Sequence, residues 1–298
     1  MIDRTVNIMS KFAANTNQKN ISYSDTENCG DPIIFLHGLG NNKFFYEITI
    51  NSMRDSVYRC ISIDYQNHGS SSDQENHSFN HYCSDILDLM VHLKIAKAWF
   101  VTSSLSCWLI QEFSRKHPEM IKGIIFLDGG YYNHRDLPNL STAPITSKPF
   151  SNYESLMEFI NADLIKLKNQ GIYLEKELEN FIRIALESCY VNDDGIYRHR
   201  TSDDVLNAII RDLIDFEINL EVFNQYPTML ILSDQNYLPE EVQLFFNGEL
   251  KKLKDKVKRI VKIKKSDHLL MLTNPNELRD LVIGFLEDID NLTGAFLK

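Results

Sequence analysis

Val101-Thr102-Ser103-Ser104-Leu105-Ser106-Cys107 joins two different patterns. Before it, Ala98-Trp99-Phe100-Val101 is a continuous apolar run, which predicts a strand covered on both faces. After it, residues 105–117 carry apolar side chains at helical spacing. A serine at such a junction lies on a tight turn, with its hydroxyl above the sheet edge and a helix N-terminus beneath it. Backbone N–H groups there can hold a developing oxyanion. The pattern that supports a nucleophilic serine at this place is G-x-S-x-G, whose small residues let strand and helix approach. Here the frame is Thr102-Ser103-Ser104-Leu105-Ser106, with hydroxylated residues in place of both glycines. Two readings follow. Ser104 is a nucleophile, or it caps the helix of an ordinary strand–turn–helix joint.

Upstream, Ile33-Ile34-Phe35-Leu36 is a second buried-strand run, and it ends at His37-Gly38-Leu39-Gly40. Two glycines directly after a strand let backbone N–H groups turn toward a ligand. Residues 41–53 are expected to be helical. Tyr58-Arg59-Cys60-Ile61-Ser62-Ile63-Asp64 is the next strand, followed by a polar loop. Residues 79–93 have helical spacing, with Tyr82, Ile86, Met90 and Leu93 on one side. Downstream, Ile121-Lys122-Gly123-Ile124-Ile125-Phe126-Leu127-Asp128 is another strand. Strands alternating with helices predict parallel βαβ units, hence an α/β, doubly wound, mostly parallel sheet. Ligands bind beyond the carboxyl ends of such strands. His37, Asp64, Ser104 and Asp128 all fall there. At the start of the chain, residues 13–23 read as a strand hairpin turning at Asn15-Thr16-Asn17-Gln18.

The alternation stops after Tyr131. Pro138, Pro144 and Pro149 are followed by helical stretches at 156–167, 174–186 and 205–218, with no buried-strand run. This predicts a helical cap inserted over the strand ends, with the core in two parts: 1–130, then 226–298 after a cap at 131–225. The strand pattern resumes at Tyr226-Pro227-Thr228-Met229-Leu230-Ile231-Leu232. A helix at 240–254, a strand at Arg259-Ile260-Val261-Lys262-Ile263, the loop Ser266-Asp267-His268 and a final helix at 275–289 complete the core.

The totals narrow the classes of function. Across 298 residues, 43% hydrophobic and 24% charged content fit an ordinary globular protein with a sizeable core. A net charge of −10 argues against nucleic acid or an anionic membrane surface as partner. Cys29, Cys60, Cys83, Cys107 and Cys189 are scattered and odd in number, which suits reduced thiols and a cytoplasmic setting. No C-x-x-C spacing suggests a metal site. There is no signal-peptide pattern behind Met1, and no apolar window of the ~20 residues that a membrane-spanning helix needs.

Taken together, these stretches resemble the α/β-hydrolase fold family. Leu36-His37-Gly38-Leu39-Gly40 is similar to its oxyanion loop. Asp64-Tyr65-Gln66-Asn67-His68-Gly69-Ser70-Ser71 is similar to its D-x-x-G-H-G-x-S loop, with Asn67 for the first glycine. The 101–106 segment resembles its nucleophile elbow V-G-H-S-x-G, with Ser103 for the histidine. Residues 227–239 resemble the segment P-T-L-x-x-x-G-x-x-D-x-x-x-P, with the closing proline one residue early, and Asp267-His268 with the residues after them resembles the catalytic histidine segment.

The resemblance implies that Ser104 is the nucleophile and His268 its base, with the N–H groups of Leu39 and Leu105 as the oxyanion hole. His37 and His68 would shape loops. The acid stays open. The family's aspartate position falls on Asn236, which leaves Asp128, at the end of its strand, and Asp234, two residues earlier in the same loop. Phe44 and Phe45 are expected to bind substrate, Trp108 to sit in the core, and His199 to lie at the cap surface. The implied activity needs no cofactor and no metal. It is hydrolysis of an ester, thioester or related acyl bond of a small, apolar substrate through a Ser-His-acid triad. Two other functions fit the same residues: a catalytically degenerate binding protein, and hydrolysis of a carbon–carbon bond.

Overall fold

The computed structural model describes residues 10–13, 20–75, 77–172 and 178–295. The turn expected at Asn15 to Gln18 lies outside them. On its two sides, β1 (Ser10–Ala13) pairs antiparallel with β2 (Ile21–Asp25). The chain continues through β3 (Asp31–Leu36), α1 (Glu47–Ser52), β4 (Tyr58–Ile63), α2 (Phe79–His92), β5 (Ala98–Ser103), α3 (Ser106–Lys116) and β6 (Ile121–Leu127). After a long excursion it returns as β9 (Thr228–Leu232), α8 (Glu240–Leu253), β10 (Arg259–Lys262), α9 (Leu270–Thr273) and α10 (Pro275–Ala295). One sheet runs β1-β2-β4-β3-β5-β6-β9-β10, antiparallel up to β4 and parallel from there on.

Side chains on a strand alternate between faces, so the apolar runs feed two cores at once. Ile34, Leu36, Phe100, Ile124, Phe126 and Leu230 join α2 and α3 residues such as Ile86 and Phe113. Ile33, Phe35, Trp99, Val101, Ile125, Leu127, Met229 and Ile231 face the other way, toward Ile50 of α1 and Leu278, Val282 and Phe285 of α10. Burying each large apolar side chain stabilises by about 1.5–3 kcal/mol. The central strands therefore hold the platform rigid beneath their carboxyl ends. At the sheet edge, β10 alternates half-buried and exposed positions and carries Arg259 and Lys262, charges that discourage pairing with another chain.

The excursion, expected as a helical cap, holds α4 (Tyr153–Asn169), α5 (Leu178–Glu187), α6 (Asp203–Asp215) and the short α7 (Val222–Gln225). The predicted start of the middle helix, at 174, lies outside the described residues. The stretch also contains strands that the sequence pattern does not reveal. β7 (Cys189–Val191) and β8 (Tyr197–His199) form an antiparallel hairpin, and Phe150 bridges to Tyr197. Its strands are three residues long and expose Tyr190 and Arg198, so no apolar run announces them. The turn has its own signal: Asn192 Oδ1 accepts from the N–H groups of Asp194 and Ile196, and Gly195 takes φ +76°. Polar contacts tie α5 and the residue after it to the loop after β3 and to the start of α1. Asn42 Nδ2 donates to Ile184 O (3.2 Å) and Ser188 Oγ (2.9 Å), and Arg183 pairs with Glu47 at 2.8 Å.

Candidate active site

Ser104 sits between β5 and α3 at φ +51°, in the left-handed region. A non-glycine residue is held there at a cost of about 1–3 kcal/mol and needs support from its surroundings. The Ser104 N–H donates to Leu127 O at 3.1 Å, which pins the turn to β6. The hydroxyls that replace the elbow glycines are satisfied internally. Thr102 Oγ1 donates to Ile125 O at 3.3 Å. Ser106 Oγ donates to His37 O, which leaves Tyr65 OH to donate to Ser106 Oγ at 2.7 Å. Ser106 thus ties the elbow to the loop after β3, a contact that glycine could not make.

That loop lies against Ser104. A Cβ on Gly38 would stand 3.2 Å from Ser104 Cβ, so glycine is what allows the approach. Gly40 turns at φ +72°, and its N–H donates to His68 Nε2 at 3.2 Å. His68 Nδ1 in turn meets Gln66 O at 3.1 Å, and His37 Nδ1 meets Gly38 O at 2.8 Å. Burial pushes both imidazoles down, His37 to about 4 and His68 to about 3, so both are neutral at pH 7. They act as fixed hydrogen-bonding struts of the loop. The N–H groups of Leu39 and Leu105 meet no hydrogen-bond partner among the described residues. Asn67, where glycine was expected, keeps the glycine-like conformation at φ +63°, and its Oδ1 accepts from Gln74 N–H at 2.9 Å.

Of the two candidate acids, Asp128 meets the histidine. It follows β6 at φ +54°, and its Oδ2 lies 2.7 Å from His268 Nδ1. Ser233 donates to the same carboxylate twice, through Oγ at 2.8 Å and N–H at 3.1 Å, and Gln235 Nε2 adds a bond of 3.3 Å. Burial raises the Asp128 carboxyl, but the His268 bond and charge and the Ser233 donors outweigh it and leave its pKa below the usual value. For His268, burial lowers the pKa, and the hydrogen bond and charge of Asp128 reverse the sign and raise it. With Nδ1 engaged, Nε2 is the nitrogen left to exchange a proton. Asp234 instead faces β10. Its Oδ2 accepts from Lys265 N–H at 3.1 Å, and Lys262 Nζ lies 3.9 Å from Oδ1. Asn236 is exposed.

Phe44 and Phe45 differ from the expectation that they bind substrate. Both are buried in the core that faces α10, where the Lys43 ammonium and the Arg183 guanidinium each lie 4.4 Å from the Phe44 ring centroid. Trp108 packs in the opposite core and donates its indole N–H to Tyr132 O at 2.8 Å. His199, expected at the surface, is half-buried and borders a cavity of about 300 Å³ that begins at Leu39 and Gly40. Among the described residues, no three His, Cys, Asp or Glu side chains converge on a metal-sized site, and no helix is long and apolar enough to cross a membrane.

Two features escape sequence reading. Lys43 and Asp64 form a fully buried ion pair of 2.8 Å beneath the loop after β3, and Asp64 also accepts from the N–H groups of Lys43 and Ser70. Ser233 and Gln235 become donors to Asp128 because β6 pairs with β9 in the register Leu127 to Ile231, which sets the residues after both strands side by side.

Residues 31–178 match the family described as "alpha/beta hydrolase fold". A Xenopus laevis protein named sn-1-specific diacylglycerol lipase ABHD11 is 22% identical over 233 residues, covering 72% of this chain and 70% of its own. Among solved structures, E-2-(acetamidomethylene)succinate hydrolase superposes with a TM-score of 0.73 at 16% identity, covering 94% of this chain and all of its own. The thioesterase domain from the curacin biosynthetic pathway superposes with a TM-score of 0.67, also at 16% identity, with the same coverage.

Proposed function

We propose that this chain, which belongs to the α/β-hydrolase fold family, is a serine hydrolase that cleaves an ester, thioester or related acyl bond through Ser104, His268 and Asp128. The observation that carries the reading is the 2.7 Å contact of His268 with a buried, triply supported Asp128 at the same sheet end as the Ser104 elbow.

A serine hydroxyl is a weak nucleophile until a base takes its proton. In the proposed cycle, His268 Nε2 accepts the Ser104 proton as Oγ attacks the acyl carbon. Asp128 fixes the tautomer at Nδ1 and stabilises the imidazolium. The tetrahedral oxyanion forms against the N–H groups of Leu39 and Leu105. Each such donor is worth about 3 kcal/mol to the transition state. Collapse returns the proton from His268 to the leaving group and leaves an acyl-Ser104 ester. Water, deprotonated by His268, then releases the acid and restores the serine. His37 and His68 take no part as bases, since both rings are buried, His37 Nδ1 meets Gly38 O and both His68 nitrogens are committed to loop backbone.

The substituted elbow glycines favoured a degenerate binding protein. The internal pairing of Thr102 and Ser106 supports the enzyme reading instead, because each hydroxyl has a structural use. A fluorophosphonate probe tests this directly. Labelling of the folded protein at Ser104, lost in Ser104→Ala together with turnover of p-nitrophenyl esters, is the expected result. Folded wild type that takes up no label and turns over no ester would overturn it.

A further inference from the structure

Asp128 and the loop after β9 hold each other from both ends. The Asp128 N–H donates to Ile231 O at 2.9 Å, and Ser233, two residues on, donates back to the Asp128 side chain. This return grip takes both carboxylate oxygens. The Ser233 N–H reaches Oδ1 at 3.1 Å, and Ser233 Oγ reaches Oδ2 at 2.8 Å. One residue on both oxygens keeps the carboxylate plane from turning. Oδ2 is also the oxygen that meets His268 Nδ1 at 2.7 Å. The serine hydroxyl and the imidazole therefore share one atom.

The sharing has an electrostatic consequence. A donor on a carboxylate oxygen draws off part of its charge, so Oδ2 offers an imidazolium less than an unshared oxygen would. Nothing nearby can replace that donor. Ser233 is wholly buried, and Gln235 Nε2 goes to the other oxygen, Oδ1, at 3.3 Å. Cys107, Tyr131, Tyr132 and Tyr237 also lie within reach of the Asp128 charge, but burial pushes all four up, so they are uncharged at neutral pH. Asp267 adds a second negative charge near His268. The next residue of the same loop reaches the histidine's own loop, since the Asp234 N–H donates to Ser266 Oγ at 2.9 Å.

The sequence carries a matching departure. Counted from Pro227, the pattern P-T-L-x-x-x-G-x-x-D sets its glycine at Ser233 and its aspartate at Asn236. A hydroxyl thus stands where glycine would offer only an N–H, in a chain whose histidine meets Asp128 instead of that aspartate.

We propose that Ser233 is a positioning residue of the triad: its grip on both oxygens of Asp128 holds the carboxylate to His268, and its hydroxyl, by sharing Oδ2, tempers the charge that His268 meets. This rests on the serine-hydrolase reading.

The test removes the hydroxyl and keeps the backbone N–H, in Ser233→Ala and Ser233→Gly. With p-nitrophenyl butyrate as substrate, kcat should fall about tenfold, the scale of one hydrogen bond to a charged group. KM should stay unchanged, because a wholly buried Ser233 does not touch substrate. The acidic limb of kcat/KM should move to higher pH, by about half a unit, since Oδ2 then presents its full charge to His268. In an Asp128→Asn background the same change should cost less than about twofold, because Ser233 acts through that carboxylate. Active-site titration with a fluorophosphonate corrects each rate for the fraction of folded enzyme. A limb that stays in place, or a loss as large in Asp128→Asn as in wild type, overturns this inference alone. Folded wild type that takes up no label and turns over no ester overturns the hydrolase reading, and this inference with it.

Discussion

His268 Nδ1 and Asp128 Oδ2 lie 2.7 Å apart although 140 residues separate them in the chain. The parallel pairing of β6 with β9 and of β9 with β10 brings the two loops to one end of the sheet. Asp128 emerges from β6 in the left-handed conformation, which aims its carboxylate across β9 instead of along its own strand. If this contact orients the base, Asp128→Asn should lower kcat by about 10³–10⁴-fold, the scale seen when a triad carboxylate is replaced by an amide. Asp234→Asn should stay near wild type, because Asp234 serves the backbone of Lys265. Steady-state ester hydrolysis by both variants decides it, and equal losses would remove Asp128 from the acid's role.

The same contact sets a pH dependence. In the proposed triad His268 must be neutral to accept the Ser104 proton, and Asp128 raises its pKa above the ordinary 6.5 despite burial. Activity should therefore fall as pH drops, with the acidic limb of kcat/KM centred above 6.5. In Asp128→Asn the charge that raises the pKa is gone, so the limb of the residual activity should move to lower pH. A pH–rate profile of the two proteins checks this. A limb that does not move would show that some other group controls it.

The turn at Ser104 and the loop at His268 are legible in the sequence because each is a local pattern: a strand, a turn and a helix around Ser104, and a loop after the last strand at His268. The choice between Asp128 and Asp234 stays open in the sequence because nothing local encodes strand register. Only the pairing of Leu127 with Ile231 sets Asp128 beside Ser233 and Gln235. Lys43 was invisible for the opposite reason. Its sequence neighbourhood reads as an ordinary helix start, and its burial depends on Asp64, 21 residues later. The β7–β8 hairpin was missed because such short, half-polar strands take their stability from Phe150 and the neighbouring helices, with no apolar pattern of their own.

The Lys43–Asp64 pair should be costly to break. Both side chains are almost wholly buried, and the carboxylate relies on Nζ plus two backbone N–H groups. Removing one partner of a buried pair leaves an uncompensated charge, worth about 3–5 kcal/mol. Lys43→Met should lower the urea unfolding midpoint accordingly and, since the loop after β3 rests on this pair, reduce kcat as well. A loss under about 1 kcal/mol would mean that the two backbone donors alone sustain the carboxylate.

His37 and His68 make folding sensitive to mild acid. Their pKa values in the folded protein, about 4 and about 3, lie below the ordinary 6.5, so the unfolded chain binds protons that the folded one excludes. Their contribution is complete above about pH 6.5 and is lost as pH falls toward their folded values. Each histidine adds a slope of up to about 1.4 kcal/mol per pH unit. Between pH 6.5 and 5, before most carboxylates titrate, these two rings should make stability decline, and His68→Gln should decline less steeply than wild type. Denaturant titrations across that window measure both slopes, and a flat wild-type profile would show that the two rings stay accessible to protons.

If Ser104 is the nucleophile, it separates catalysis from stability. Its φ of +51° suits glycine better than any residue with a Cβ, and the turn is held by Leu127 O and the following helix. If function is what keeps a serine there, removing its side chain should relieve strain. Ser104→Gly is expected to abolish turnover and yet stabilise the fold, by about 1 kcal/mol after the extra freedom glycine gains in the unfolded chain is subtracted. Ser104→Ala should abolish turnover with no such gain, because its Cβ keeps the strain. Thermal or urea unfolding of the two inactive variants distinguishes them. Equal stability in both would mean that the elbow is relaxed, and that the left-handed turn at Ser104 stores nothing for the active site.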